Sequence, residues 1–149
     1  MRADRVVLDS NVLISALLSP NGSPRRAFEH LAKTSAALLF SDETFAELAG
    51  RIALPKFDRY RSIAQMNDCL DWLVELSEWV HPGIAVVACR DSRDDKFLTV
   101  ALGGEADILI TGDADLLVFD PFEGLPIVSP AKFLKGEAGT DSKGSDRGG

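Results

Sequence analysis

The chain has 149 residues, of which 46% are hydrophobic and 26% are charged, a balance typical of one globular domain with a substantial core. No apolar run approaches the roughly 18–20 residues that span a bilayer, and Asp9, Ser10 and Asn11 interrupt the apolar N-terminal run, so we expect neither a membrane span nor a secretory signal. The formal charge of −7 argues against an anionic partner such as nucleic acid unless bound cations offset it.

The two cysteines, Cys69 and Cys89, lie far apart in sequence and form no metal-binding spacing. Isolated cysteines of this kind are typical of a reducing compartment, where the thiol acts as a small apolar packing group. We therefore expect both to be packing residues of a cytoplasmic protein.

Short apolar runs alternate with helical patterns along the chain. In chain order, the prediction is a strand at about 5–9, helices at 12–18 and 24–33, a strand at 36–40, a helix capped by Ser41 and broken at Leu54-Pro55, a helix at 62–80, a strand at 84–88, a helix at 94–103 and strands at 107–111 and 126–128. Strands separated by helices favour parallel pairing with right-handed crossovers. The predicted fold is therefore an α/β, three-layer α/β/α sandwich with a central parallel sheet of four to five strands.

The end of the chain differs in composition from the rest. Residues 136–149 are rich in Gly, Ser and Asp and contain no large apolar side chain. Such a segment has too little apolar surface to order itself by burial. We expect a single domain at 1–135 and a disordered C-terminal tail at 136–149.

Acidic side chains follow the predicted strands. They are Asp9 after the first strand, Glu47 on the helix after the second, Asp91, Asp94 and Asp95 after the third, and Asp113 and Asp115 after the fourth. The carboxyl ends of parallel strands meet at one edge of a sheet, where these acids would repel one another unless a cation lay between them. Carboxylate oxygens are the ligands that Mg²⁺ and Mn²⁺ prefer, so the sequence predicts a divalent-metal site.

A site of this composition favours hydrolysis of a phosphodiester. Two such ions about 3.5–4 Å apart can activate a water and stabilise the leaving oxygen. The two histidines, His30 and His81, lie near predicted helix ends and form no evident nucleophile set with a Ser or Cys. Six basic residues are candidates for holding the flanking phosphates, although such runs are also typical of an ordinary solvated face: Arg51, Lys56, Arg59, Arg61, Arg93 and Lys96.

Four segments, in order, resemble the PIN-domain nucleases. They are Val7-Leu8-Asp9-Ser10-Asn11-Val12-Leu13, Glu47 within a helix, Arg90-Asp91-Ser92-Arg93-Asp94-Asp95-Lys96-Phe97-Leu98, and Leu109-Ile110-Thr111-Gly112-Asp113-Ala114-Asp115-Leu116. The resemblance covers roughly residues 4–135 and extends to the VapC-like bacterial PIN proteins classed as toxins of toxin–antitoxin systems. It implies a Mg²⁺- or Mn²⁺-dependent endoribonuclease with an RNA substrate, a cognate antitoxin and a homodimeric assembly.

The same resemblance implies roles for individual residues. Asp9, Glu47, Asp95 and Asp113 match the four metal-binding acids, while Asp94 is an alternative to its neighbour Asp95 and Asp115 is an auxiliary candidate. Ser10 and Thr111 match positions where the family places a hydroxyl beside the acids. Each acid also has a purely structural interpretation, as a turn residue, a helix cap or a partner in a helical ion pair.

Three alternatives differ in function. A PIN nuclease could process RNA without being a toxin, and an inactive PIN fold could serve only as a binding scaffold. A receiver-type phosphoacceptor domain also has acids at strand ends and binds Mg²⁺, but it needs an acidic pair after the first strand and a late Lys after a strand. Here the first strand ends in Asp9-Ser10-Asn11, and Lys132 follows Pro130 in a poor context for that role.

Overall fold

The computed structural model describes residues 3–60, 64–88 and 94–143. Its strands are β1 (Arg5–Leu8), β2 (Ala37–Phe40), β3 (Ser77–Trp79), β4 (Ile108–Ile110) and β5 (Ile127–Val128). Its helices are α1 (Ser10–Leu18), α2 (Ser23–Lys33), α3 (Asp42–Ile52), α4 (Ala64–Leu76), α5 (Asp95–Gly103), α6 (Ala114–Leu117) and α7 (Pro130–Lys143), with a 3₁₀ helix at Pro55–Tyr60. All strand pairs are parallel, and the order across the sheet is β3-β2-β1-β4-β5.

Helices cover both faces of this sheet. The alternation of side chains along β1 sends Val6 and Leu8 into one apolar core and Val7 into the other. The first core is completed by side chains of α1, α2, α3, α4 and α7, and the second by side chains of α5 and α6. The predicted α/β/α sandwich with a parallel sheet is therefore confirmed.

The direction of chain progression reverses between β1 and β4. The chain runs outward from β1 to β2 and β3, then returns to the other side of β1 to form β4 and β5. Ligands of open parallel sheets bind beyond the carboxyl ends of the strands at such a reversal. Because Leu8 pairs with Ile110, the residues that follow these strands emerge side by side at this point.

The predicted strand at 84–88 is wrong. These residues form no strand, because their backbone is bound by side chains of a helix. The N–H of Val86 donates to Thr99 Oγ1 at 2.9 Å, and the N–H of Ala88 donates to Asp95 Oδ1 at 3.1 Å. The place beside β2 is taken by β3, which comes earlier in the chain.

The predicted helix at 62–80 is too long at its C-terminal end, because its last residues pair with β2, and its first two residues lie outside the described residues. Helix α4 ends at Leu76, and residues 77–79 turn into β3, with Leu38 paired to Ser77 and Phe40 to Trp79. The interpretation of Ser41 as a helix cap is confirmed, since its hydroxyl accepts the backbone N–H of Thr44 at 3.2 Å.

The last helix enters the segment expected to be a tail. Helix α7 continues from Pro130 to Lys143, past residue 135, and residues 144–149 lie outside the described residues. Across the described ranges, none of the helices combines the length and apolar character that a bilayer crossing requires.

Candidate metal centre

Asp9 joins the end of β1 to the start of α1. The residue is buried, and its side chain caps the helix by accepting the N–H of Val12 on Oδ1 at 2.8 Å. Its other oxygen, Oδ2, accepts a hydrogen bond from the hydroxyl of Thr111. The structural role of a cap therefore applies to Asp9, but it engages only one carboxylate oxygen through the local backbone.

Thr111 connects two of the predicted acids. This residue follows β4 and is fully buried, and its hydroxyl donates to Asp9 and accepts the backbone N–H of Asp113 at 3.0 Å. Asp113 in turn caps α6 by accepting the N–H of Asp115 at 2.9 Å. One hydroxyl therefore links the segments that follow β1 and β4, which carry Asp9 and Asp113. This explains why a Thr is suited to position 111.

Three carboxylates, one of them that of Asp113, form a compact group. Oxygens of Asp94, Asp113 and Asp115 all lie within 4.8 Å of one another, and the three residues are half-buried. Asp94 immediately precedes α5, whereas Asp113 and Asp115 belong to the turn after β4. Helix α5 thus brings an acid from a distant part of the sequence to the carboxyl edge of β4.

Asp9 lies in the negative field of this edge. Burial is the main cause that raises the pKa of its carboxyl, and the negative charges of Asp113 and Glu47 raise it further. The hydrogen bonds from Thr111 and Val12 act in the opposite direction. Acids from α3 and from the turn after β4 therefore act on Asp9, and a bound cation would relieve this repulsion.

The raised pKa of Asp9 predicts a pH dependence of stability in the presence of EDTA. The folded protein holds the Asp9 proton more tightly than the unfolded chain, so its stability should fall as the pH rises from 3.8, the ordinary Asp value, through the raised pKa. Thermal unfolding of the wild type and Asp9→Asn in EDTA between about pH 4 and pH 8 tests this. We expect the variant to gain stability relative to the wild type as the pH rises. If the difference in unfolding midpoint between the wild type and Asp9→Asn did not change with pH, the pKa of Asp9 would not be raised in the folded protein.

Glu47 lies on α3 between two basic side chains. The ammonium of Lys96 lies 2.7 Å from Oε1, and a guanidinium nitrogen of Arg51 lies 3.9 Å from Oε2. Arg51 lies one helical turn from Glu47, and the ion pair between them is the purely structural interpretation of Glu47. The contact with Lys96 was missed by sequence reasoning, because it joins helices separated by more than forty residues and no local spacing signals it.

Asp95 occupies a different environment from Asp94. It is buried, and its Oδ1 accepts the N–H of Ala88. The group of three carboxylates contains Asp94. In the sequence analysis, Asp94 is the alternative to Asp95 for the third metal-binding position of the family. The geometry favours Asp94 as the acid that shares a cation with Asp113.

The remaining predicted residues are distributed as follows. Ser10 is buried at the first position of α1, directly after Asp9. Lys56 and Arg59 are exposed on the 3₁₀ helix, with the ammonium of Lys56 5.2 Å from the ring centre of Phe57. Arg61, Arg93 and Asp91 lie outside the described residues, as does Cys89, whereas Cys69 is a buried free thiol that packs in the core.

Comparison with known proteins agrees with this architecture. The uncharacterized protein MJ1680 of Methanocaldococcus jannaschii is 34% identical over 116 residues, which cover 76% of this chain and 73% of the relative. The crystal structure of VapBC2 from Rickettsia felis bound to a DNA fragment from their promoter matches with a TM-score of 0.54 and 17% identity, over 83% of this chain and 96% of that chain. At this identity, the structural likeness concerns the fold.

The sequence comparison goes further than the fold. The sequence profile of the family described as "PIN domain" matches residues 5–115, a span that begins at β1 and includes all four predicted acids. It also includes the parts of β1, α5 and β4 that bring the carboxylates together. The chain therefore belongs to the PIN domain family.

Proposed function

We propose that this protein is a Mg²⁺- or Mn²⁺-dependent endoribonuclease that hydrolyses RNA phosphodiester bonds with water as the attacking group. The observation that carries the proposal is the convergence of Asp94, Asp113 and Asp115 within 4.8 Å, beside the buried Asp9. This convergence lies beyond the carboxyl ends of β1 and β4, where the chain changes the side of the sheet to which it adds strands. Ligands usually bind at this position in such folds. Membership of the PIN domain family supports a nuclease.

The chemistry of these donors suits a hard divalent cation. All of the candidate ligands are carboxylates, with the Thr111 hydroxyl between two of them. When bound, Mg²⁺ or Mn²⁺ supplies a Lewis acid that promotes ionisation of the attacking water and stabilises charge on the leaving oxygen. Asp9, Glu47, Asp94 and Asp113 are proposed to hold the cation, with Asp115 as an additional donor. Asp95 is proposed to position the start of α5 by binding the Ala88 N–H.

Substrate binding is assigned to basic residues near α3 and α5. Arg51 and Lys96 both lie within ion-pair distance of Glu47, so their charges are at the edge of the acidic site. Lys56 and Arg59 extend this charge along the exposed 3₁₀ helix, and Arg61 and Arg93 stay predictions for the same role. Such contacts to phosphates orient a nucleic acid without selecting its sequence.

On the resemblance to VapC-like PIN proteins, we also propose that the protein is the toxin of a toxin–antitoxin pair and that it acts in the cytoplasm. The likeness in fold to a chain of the VapBC2 complex supports it. Among the described residues, Phe45, Val74 and Trp79 are exposed by 39%, 77% and 41%, and the first two line an apolar groove of about 480 Å³ between α3 and α4. Exposed apolar surface of this kind is typical of protein contact sites, which is consistent with an antitoxin and with a homodimer.

The receiver-type alternative is not supported. Receiver domains have the sheet order 2-1-3-4-5, in which the third strand lies on the opposite side of the first from the second. Here β2 and β3 lie on the same side of β1. An RNA-processing nuclease without a toxin role differs only in its target, whereas an inactive scaffold would bind neither Mg²⁺ nor Mn²⁺.

The first experiment is cleavage of a mixed pool of single-stranded RNA by the purified protein with Mg²⁺, Mn²⁺ or EDTA. We expect cleavage with either cation and none in EDTA, and a parallel pool of single-stranded DNA tests the preference for RNA. Calorimetric titration with Mn²⁺ is run on the same protein. Cation binding without cleavage of the RNA pool would point to a specific structured target, while absence of binding and of cleavage would favour the scaffold.

A further inference from the structure

The contact between Lys96 and Glu47 has features of a dedicated ion pair. The ammonium lies 2.7 Å from Oε1, and the two side chains are only 11% and 28% exposed. The ammonium also lies 5.3 Å from the ring centre of Phe97, within the range of an attractive cation–ring contact. Lysine is rarely so buried without a partner, so this pairing is a defined feature of the fold.

This ammonium contacts one of the two carboxylate oxygens through which Glu47 could bind a cation. A carboxylate oxygen 2.7 Å from an ammonium cannot coordinate a divalent cation in the same direction without displacing it. A positive charge this close would also repel the incoming cation. Arg51 is less suited to this role, because its nitrogen is 3.9 Å from the other oxygen and its side chain is 38% exposed.

We propose that Lys96 is a built-in counter-cation that competes with the divalent cation for Glu47 and is exchanged off this carboxylate when the cation binds. The proposal rests on the proposed function, since it takes the acidic edge to be a metal site. In the absence of the divalent cation, Lys96 offsets part of the repulsion among the acids and holds α5 against α3. After the exchange, the ammonium stays near the acids, where a phosphate of the RNA replaces Glu47 as its partner.

The test compares Mn²⁺ affinity by calorimetry in the full-length wild type, Lys96→Met and Lys96→Arg. Met retains the apolar stem and removes the charge, whereas Arg retains the charge. We expect Lys96→Met to bind Mn²⁺ about tenfold more tightly than the wild type, because one nearby like charge is removed. The Mn²⁺ affinity of Lys96→Arg should stay near that of the wild type. Thermal unfolding in EDTA should show a lower midpoint for Lys96→Met than for the wild type. A Mn²⁺ concentration that saturates these two proteins should reduce the difference between their midpoints, because the variant binds Mn²⁺ more tightly. Lys132→Met, an exposed change on α7, controls for loss of one positive charge elsewhere.

A double-mutant cycle with Glu47→Gln separates exchange at Glu47 from general repulsion. If the two cations compete for this carboxylate, Lys96→Met should tighten Mn²⁺ binding much less in the Glu47→Gln background. An equal gain in both backgrounds, or unchanged or weaker Mn²⁺ binding in Lys96→Met, would overturn the exchange. Absence of Mn²⁺ binding in every protein would overturn the metal site as well, so failure of the two proposals can be distinguished.

Discussion

Asp113→Asn is expected to lose about a thousandfold or more of metal-dependent RNA cleavage while retaining its fold. A bound divalent cation stabilises the charge of a transition state by several kcal/mol, and each 1.36 kcal/mol corresponds to a tenfold change in rate. Asn removes the negative charge but keeps an oxygen that can accept the N–H of Asp115, so the cap of α6 is retained. Initial cleavage rates at saturating Mn²⁺, together with circular dichroism and thermal unfolding, measure the two effects separately.

A matched Asp-to-Asn change outside the site provides the control. Asp71 is exposed on α4 and belongs to none of the contacts that form the acidic edge. We expect Asp71→Asn to cleave RNA at the wild-type rate. If Asp113→Asn cleaved as fast as this control, the acidic edge would not be the site of the reaction, whatever its affinity for Mn²⁺.

The carboxyl edge of the sheet could be predicted because its determinants are local. Strands β1 and β4 are short apolar runs that end at once in Asp9 and in Thr111, and parallel pairing alone brings such ends together. The position of Asp113 follows from the same turn, since it caps the next helix. Sequence patterning therefore predicted that Asp9 and Asp113 follow strands whose carboxyl ends lie side by side, without reference to any distant contact.

The third strand could not be predicted from the same signals. The helical pattern of α4 continues without a break through Ser77–Trp79. The first helix-breaking residues after α4 are Pro82 and Gly83. The segment at 84–88 is more apolar and has the composition of a strand. Its backbone is instead bound by Thr99 and Asp95, two side chains of α5 whose position depends on the completed fold. Tertiary hydrogen bonds thus override a strong local preference.

The distinction between neighbouring acids at the start of α5 has the same origin. Adjacent residues at a helix start point in different directions, and a change of one position in register exchanges their surroundings. In the structure, Asp94 joins the group of three carboxylates, while Asp95 turns toward the segment at 84–88. The contact of Lys96 with Glu47 depends on the same rotation of α5.

Asp94→Asn and Asp95→Asn are expected to differ sharply in activity. If Asp94 shares a cation with Asp113, its amide variant should lose at least about a hundredfold of cleavage and bind Mn²⁺ more weakly, with little change in unfolding. Asp95→Asn keeps an oxygen that can accept the N–H of Ala88, so it should retain most of the activity. The two changes are chemically identical and one residue apart, which makes each the control for the other.

Asp95→Ala completes the comparison, because it removes the acceptor as well as the charge. Leaving the N–H of Ala88 without this partner is expected to cost about 1–3 kcal/mol of unfolding free energy, measured by urea denaturation in EDTA. Cleavage should fall with it, since the start of α5 would lose its anchor to the segment at 84–88. If instead Asp95→Asn abolished cleavage and Mn²⁺ binding while Asp94→Asn did not, Asp95 would be the ligand. Its bond to Ala88 would then have to break when the cation binds.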